Sequence, residues 1–478
     1  MRIIAGALIG GALVCGVSDA NAPGSAESPS IADRYRESAQ RIIAAALAGN
    51  EAYDKLEALC DGIGHRLSGS PQLEQAVRWA ARTLEADGQE NVHLEPVMVP
   101  HWVRGDESLV MVTPRTTPIA MLGLGGSVGT PPEGITAEVV VVRDEEELEA
   151  LGDAARGRIV LFNNPMPPYD PECGAGYGRT VRFRGKGARI ASEKGAVACL
   201  VRSVTAHSLR SPHTGAMGYG DAEVKIPAAA ISTEDADLIA RLRARGVRVV
   251  VTLKMEANTL DPAPSANVIG ELRGRAQPEE IVVIGGHLDS WDVGQGAHDD
   301  ATGCVMAMEA INLLRRLKMI PRRTIRVVLW TNEENGLAGG RQYAEDHAGE
   351  MEHHVAAIEA DSGGFRPVGY SVDCSDKDRL AVAEAQLRDL VGLFESIGAT
   401  RVTTGFSGAD VGAMKKAGVL LMGHRVEGST YFDYHHSHAD TVDKVDPDEL
   451  SQNVAVMATL AYVLADMPER FGTRLSAP

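Results

Sequence analysis

The chain has 478 residues, a formal net charge of −18 at pH 7, 44% apolar residues and 51 glycines. That length holds two or three domains and a core that needs no stapling, and the composition is that of an ordinary α/β globular protein. The acidic balance argues against binding nucleic acid through its phosphates, which takes basic patches.

Met1-Arg2 and the apolar run Ile3 to Val17 read as a secretory signal, with a small-residue region near Ala20-Asn21-Ala22. Residues 1–22 are therefore expected to be removed, giving a secreted or periplasmic product. Pro23 disfavours cleavage at the Ala22 bond itself. The run is shorter than the roughly 20 apolar residues that a membrane span requires. Six cysteines (Cys15, Cys60, Cys173, Cys199, Cys304 and Cys374) are scattered without paired spacing, which excludes a disulfide scaffold and a CxxC metal site. A single bridge stays open, with no assignable partners.

Residues 30–117 open with helical periodicity over Tyr35 to Leu47 and Ala76 to Leu84, separated by the turn-rich segment Gly62 to Ser70 and followed by a strand over Val92 to Val99. Residues 118–258 change texture. Short apolar runs at Ala137 to Val142, Ile159 to Phe162, Ala196 to Val201, Ala228 to Ile231 and Val247 to Leu253 alternate with Gly/Pro loops and two helices, Arg184 to Gly195 and Thr233 to Gly246. This stretch reads as an inserted domain, with Asp261-Pro262-Ala263-Pro264-Ser265 as the return linker. Residues 265–470 then alternate strands (Ile281 to Ile284, Ile325 to Trp330, His354 to Ile358, Gly418 to Met422) with helices. One helix starts near Ala301, and an amphipathic helix over Leu450 to Met467 closes the chain. The fold expected is α/β: a mixed, largely parallel sheet flanked by helices, carrying a smaller α/β insertion.

Ligands of such sheets collect beyond the carboxyl ends of the strands. His287-Leu288-Asp289, Glu333-Glu334 and Asp361 fall there, joined by Asp299-Asp300 and the run His435-His436-Ser437-His438-Ala439-Asp440. Singly, each has a plain explanation: loop polars, a helix N-cap, a solvated acidic pair, a turn-starting Asp, a surface His tract. Together, His287, Asp299, Glu334, Asp361 and His436 offer two imidazoles and three carboxylates, the donor types that hold zinc without redox chemistry. With one carboxylate bridging, two ions would each receive one His and one further carboxylate, leaving positions for water. One member of the Glu333-Glu334 pair would bind metal while the other serves as general base. Asp289 would accept the second ring N–H of His287.

These residues occur in the motifs Gly285-Gly286-His287-Leu288-Asp289-Ser290-Trp291, Gly296-Ala297-His298-Asp299-Asp300, Trp330-Thr331-Asn332-Glu333-Glu334 and His436-Ser437-His438-Ala439-Asp440-Thr441, with Arg66-Leu67-Ser68-Gly69-Ser70 upstream. In this order they resemble the M28 family of zinc-dependent peptidases, in the variant with an inserted protease-associated domain. The resemblance implies Asp299 as the bridging ligand between two zinc ions, one also held by His287 and Asp361, the other by Glu334 and His436. It further implies Glu333 as general base, Asp289 as the partner orienting His287, a cis Asp299–Asp300 bond and, for members of this type, homodimers. The family's serine-aspartate loop is matched only loosely, by Ser407-Gly408-Ala409-Asp410.

The leading expectation is a secreted di-zinc exopeptidase acting on short unblocked peptides. Two alternatives keep the fold. A single-zinc acyltransferase that cyclises N-terminal glutamine would carry one zinc per chain. A non-catalytic receptor ectodomain would usually have lost a ligand or the base. An aminopeptidase needs an acid for the substrate ammonium and a carboxypeptidase needs Arg or Lys for the carboxylate; the sequence assigns neither.

Overall fold

The computed structural model describes residues 30–171 and 174–474. The signal-like segment, Cys15 and Cys173 lie outside them. Among the described residues there are two eight-stranded sheets. In the first, the strands follow the order Glu90–Val103, Asn258–Leu272, Arg323–Trp330, Gln277–His287, His354–Glu359, Leu420–Val426, Pro367–Asp373 and Arg401–Thr404. Its four central strands, Arg323–Trp330 to Leu420–Val426, are parallel, and antiparallel pairs flank them on both sides.

The unbroken apolar run at residues 281–284 has a direct cause. Val282 and Ile284 face a core shared with the helices Ile31–Ala48, Ala52–Cys60, Thr302–Arg316 and Pro447–Asp466, while Ile281 and Val283 face a second core around Tyr343, Val411 and Met414. A strand covered on both faces has no polar side to show. The closing helix Pro447–Asp466 departs from expectation for the same reason. It is buried around its whole circumference, packed between Ile31–Ala48, Thr302–Arg316 and the sheet, so it is not amphipathic.

The second sheet takes its strands from between Glu107 and Met255, in the order Thr117–Ile119, Glu107–Thr113, Val250–Met255, Ile135–Val142, Ile159–Phe162, Ala198–Arg202, Ala228–Ile231 and Met121–Gly123. It therefore begins ahead of residue 118. The two helices read there from sequence are Arg182–Glu193 and Thr233–Ala244. The segment Asp261–Ser265 is not a linker. It lies inside the 15-residue strand Asn258–Leu272 and pairs with Glu90–Val103, Met98 opposite Pro264. Only Val268–Leu272 of that strand also pairs with Arg323–Trp330, so the prolines occupy a stretch with one free edge, where a missing N–H costs no ladder bond. The four described cysteines, Cys60, Cys199, Cys304 and Cys374, are buried free thiols. Among the described residues no helix is long and apolar enough to cross a membrane.

One tie of the edge strand is pH-dependent. His347, which caps the helix Ala338–Asp346, places Nε2 2.8 Å from Glu95 on Glu90–Val103. Burial works against both charges, but the mutual hydrogen bond prevails: the His347 pKa is raised and that of Glu95 lowered. The His347 contribution is thus complete below its unfolded pKa and fades as pH rises through the folded value. The Glu95 contribution is complete above its unfolded pKa and fades on acidification. Between about pH 4.5 and 6.5 both hold. Replacing His347 by Gln should cost about 1–2 kcal/mol at pH 6 and less at pH 8.5, read from urea unfolding at the two pH values. An equal loss at both would refute this.

Candidate metal centre

The three adjacent parallel strands Arg323–Trp330, Gln277–His287 and His354–Glu359 release the chain at one edge of the sheet; His287 is level with Trp330, and Gly285 with Glu359. The central strand thereby delivers His287, one neighbour Glu333 and Glu334, the other Asp361. Gly286 is demanded by the approach of Asp300, since a Cβ there would lie 2.2 Å from the Asp300 Oδ2 atom. That carboxylate instead accepts the His287 N–H (3.0 Å) and, through Oδ1, the Gly303 N–H (3.1 Å). Asp300 is thus the supporting member of the Asp299-Asp300 pair, and the bond between the two is cis.

Asp299 lies between the two imidazoles. His287 Nε2 is 3.3 Å from Asp299 Oδ1 and 3.6 Å from Asp361 Oδ1. His436 Nε2 is 3.2 Å from Asp299 Oδ2 and 3.0 Å from Glu334 Oε2. All five sequence-predicted ligands are therefore brought together, as two His–carboxylate pairs that share one carboxylate. Glu333 does not join either pair; it stands on the wall of the adjoining cavity.

The site is buried and strongly polarised. Burial alone would discharge both imidazoles, but the facing carboxylates reverse this and raise their pKa values, that of His436 to about 9. Burial would likewise raise Asp299, yet its close contacts with the imidazoles of His287 and His436 hold it well below the usual carboxylate range. Glu334 is pushed up to about 7 by burial and by the charge of Asp299. Glu333 is raised well above its ordinary value by burial, and the charges of Asp361 and Glu334 add to this. Carboxylates crowded in a dry place call for cations. The residues fit zinc on that ground and on a second: the buried atoms His287 Nε2 and Asp299 Oδ2 point at their neighbours without a hydrogen bond of proper geometry, in a nitrogen-and-oxygen donor set.

Asp289 acts differently from the sequence reading. The His287 Nδ1 atom is 3.0 Å from the Asp289 main-chain carbonyl and 3.8 Å from its carboxylate. The carboxylate instead accepts the N–H groups of Glu333 (3.0 Å) and Glu334 (3.3 Å). The carboxylate passes the ring and meets the backbone of the turn that follows the neighbouring strand Arg323–Trp330. Asp289 therefore positions the glutamate pair, and its main chain fixes the imidazole. Asp440 does the same for the other side, accepting from His298 N–H (2.8 Å) and Asp299 N–H (3.1 Å). The upstream Arg66 is fully buried and donates to the carbonyls of Leu288 (2.8 Å), Gly296 (3.0 Å), Gln295 (2.6 Å) and Gly64 (2.8 Å), stitching the His287–Asp299 loop to the N-terminal segment.

Beside the cluster opens a cavity of about 700 Å³, lined by residues that follow the strands of the first sheet and by helix and loop residues of the segment that carries the second. Three of its residues escaped the sequence reading, and a fourth, His435, entered it only as a member of the run His435 to Asp440. His435 stacks on His436, ring centroids 3.5 Å apart, with Nε2 3.7 Å from Asp299 Oδ2. Tyr177 and Arg184 reach in from the second sheet's helices, and Arg425 from Leu420–Val426. The His435-His436 doublet was a visible signal. Nothing in sequence marks the other three, because their place in the cavity is a product of tertiary packing.

Comparison with known proteins identifies the family. Residues 267–461 match the model of "Peptidase family M28". Over 438 residues the chain is 44% identical to carboxypeptidase Q of Mus musculus, covering 91% of this chain and 90% of the mouse protein. With its Homo sapiens counterpart the identity is 43%, over 88% and 87% of the two chains. The crystal structure of a peptidase M28 precursor from Shewanella amazonensis superposes with a TM-score of 0.86 at 36% identity, over 93% of this chain and 99% of that one. The zinc aminopeptidase of Bacillus subtilis shares the fold, with a TM-score of 0.62 at 19% identity, over 87% of this chain and 94% of that one. With near-full-length relatives and a metal-fitting cluster on the shared sheet, the chain belongs to peptidase family M28 and is a zinc-dependent metallopeptidase.

Proposed function

We propose that the protein is a secreted di-zinc exopeptidase that hydrolyses short unblocked peptides. The observation that carries this is Asp299, set between two His–carboxylate pairs with Glu333 free beside them on the cavity wall. His287, Asp361 and Asp299 would hold one zinc; Glu334, His436 and Asp299 the other. When bound, zinc supplies Lewis acidity toward a water and toward the scissile carbonyl. The Glu333 carboxylate takes the proton of the attacking water and returns it to the departing amine nitrogen. Its raised pKa suits the second half of that duty, and a cation nearby would bring it down for the first. Asp289, through the N–H groups of Glu333 and Glu334, keeps base and ligand in register.

The segment outside the first sheet, read from sequence as residues 118–258 between peptidase parts 30–117 and 265–470, we take to be an inserted protease-associated domain. Its part would be to cover the cleft, a reading supported by Tyr177 and Arg184 in the cavity wall. Export through a signal at residues 1–22 is part of the same proposal.

The test is direct. The zinc-loaded protein should contain two zinc ions per chain by elemental analysis and should cleave free dipeptides while leaving N-acetylated ones largely intact. One zinc per chain with cyclisation of N-terminal glutamine would favour the acyltransferase instead, and two zincs with no cleavage of any peptide in a broad panel would remove the enzymatic reading.

A further inference from the structure

The two imidazoles of the centre are held from different places. His287 turns Nδ1 to the Asp289 carbonyl, 3.0 Å away and two residues along its own loop. His436, with Nε2 facing Glu334 and Asp299, turns Nδ1 to the Thr214 carbonyl, 3.3 Å away and 222 residues upstream. The guanidinium of Arg184 lies equally near that nitrogen but can only donate, so the Thr214 carbonyl is the acceptor. An imidazole that serves a metal is fixed in tautomer and direction by the group its other nitrogen meets. For His436 that group comes from the segment of the second sheet.

The main chain of His436 is held from the same side. Its φ is +60°, a left-handed conformation that a non-glycine residue keeps only where its surroundings enforce it. The Thr214 N–H donates to the His436 carbonyl (2.9 Å), and the buried His213 donates from Nδ1 to the His435 carbonyl (2.7 Å). Both donors are anchored to the second sheet. The Thr214 hydroxyl donates to the carbonyl of Gly123 on the strand Met121–Gly123 (2.7 Å). The His213 N–H donates to Ser203 Oγ (2.9 Å), which donates to the carbonyl of Ile231 on the strand Ala228–Ile231 (2.8 Å). Arg104 closes the joint: its guanidinium meets the Asp292 carboxylate (2.6 and 2.8 Å) on the His287–Asp299 loop and the Gly123 carbonyl (2.5 Å).

We propose that the loop carrying His213 and Thr214 positions the His436 half of the metal centre, so that this half takes up its zinc only with the second sheet docked, and the zinc in turn locks the docking. This rests on the di-zinc reading above and gives its two halves unequal dependence on the second sheet. The His287 ring and the Asp361 carboxylate take their partners from residues 287–361 alone. The His436 ring and backbone take theirs from Thr214. Coupling between two binding events is reciprocal, so whatever docking adds to zinc affinity, zinc returns to docking. His213 and Thr214 are thus positioning residues: they act on the metal through His435 and His436.

The experiment titrates zinc into the metal-free full chain and follows hydrogen exchange at the Thr214 amide, in wild type, His213→Leu and His436→Ala. Wild type should bind two ions, and the one missing from His436→Ala identifies the His436 half. His213→Leu should weaken that ion by about 10–100-fold in Kd and leave the other within about threefold. In wild type, filling the His436 half should slow Thr214 exchange by about tenfold, and zinc should have no such effect in His436→Ala. Equal weakening of both ions in His213→Leu, or weakening of neither, overturns the proposal, because general structural damage does not select one half. If His213→Leu fails to fold, wild type decides: Thr214 exchange indifferent to the second ion overturns the proposal, and slowing confined to that ion upholds it. A wild type that binds one ion removes the di-zinc reading and this proposal with it. Two ions bound in the expected pattern without cleavage of any peptide would uphold the positioning role and count against the exopeptidase reading alone.

Discussion

Replacing Glu333 by Gln is expected to lower kcat by about a thousandfold or more while leaving the zinc content at the wild-type value. The amide would have the volume of the native side chain but no site for the proton of the attacking water. The loss therefore falls on the proton transfer itself, a step worth roughly 10²–10⁴ in rate. Glu333 stands outside both His–carboxylate pairs, which is why metal should stay. Stability gives an independent reading. Burial and the charges of Asp361 and Glu334 raise the Glu333 pKa, so its ionised form works against folding near neutral pH. A neutral amide removes that opposition, and the metal-free variant should melt at or above the wild-type temperature. Full activity in the variant would dismiss Glu333 as base, and lost zinc would make it a ligand.

The second large effect belongs to Asp299→Ala. Its two carboxylate oxygens face different imidazoles, Oδ1 toward His287 and Oδ2 toward His436, so one substitution withdraws a donor from both halves of the centre. Expected are loss of both zinc ions on gel filtration, by elemental analysis, and activity below about one-thousandth of wild type. His436→Ala, which withdraws the imidazole from the Glu334 half alone, should lose one ion. Because binding to the folded form alone stabilises it by mass action, zinc should raise the melting temperature of wild type and fail to do so for Asp299→Ala. Two zincs retained in Asp299→Ala would remove the bridging assignment.

The sequence makes the centre legible because its candidate ligands sit where period and punctuation change: His287 after an apolar run, Glu334 after Trp330, Asp361 after Ala360. Strands buried on both faces write themselves plainly, and the matching cores on either side of Gln277–His287 explain why. The edges are harder to read. Pro367–Asp373 and Arg401–Thr404 escape because short or edge elements carry little periodicity, and Pro262 and Pro264 hide a strand by imitating a linker. Side-chain destinations are a further step removed. The pattern His287-Leu288-Asp289 announces a pair, but which Asp289 oxygen meets the ring depends on the turn after a neighbouring strand, whose Glu333 N–H lies 44 residues away in sequence. Arg184 depends on a contact between the helix Arg182–Glu193 and the loop of His436, which no local pattern encodes.

Arg66 has a consequence for where the molecule can be cut. Its guanidinium is the knot between the N-terminal segment and the His287–Asp299 loop. The helices around it supply one wall of the core on which Val282, Ile284 and Val454 rest. The family signature over residues 267–461 is therefore a record of ancestry and not a unit of expression: a fragment trimmed to it would keep every candidate ligand and lose the scaffold that aims them.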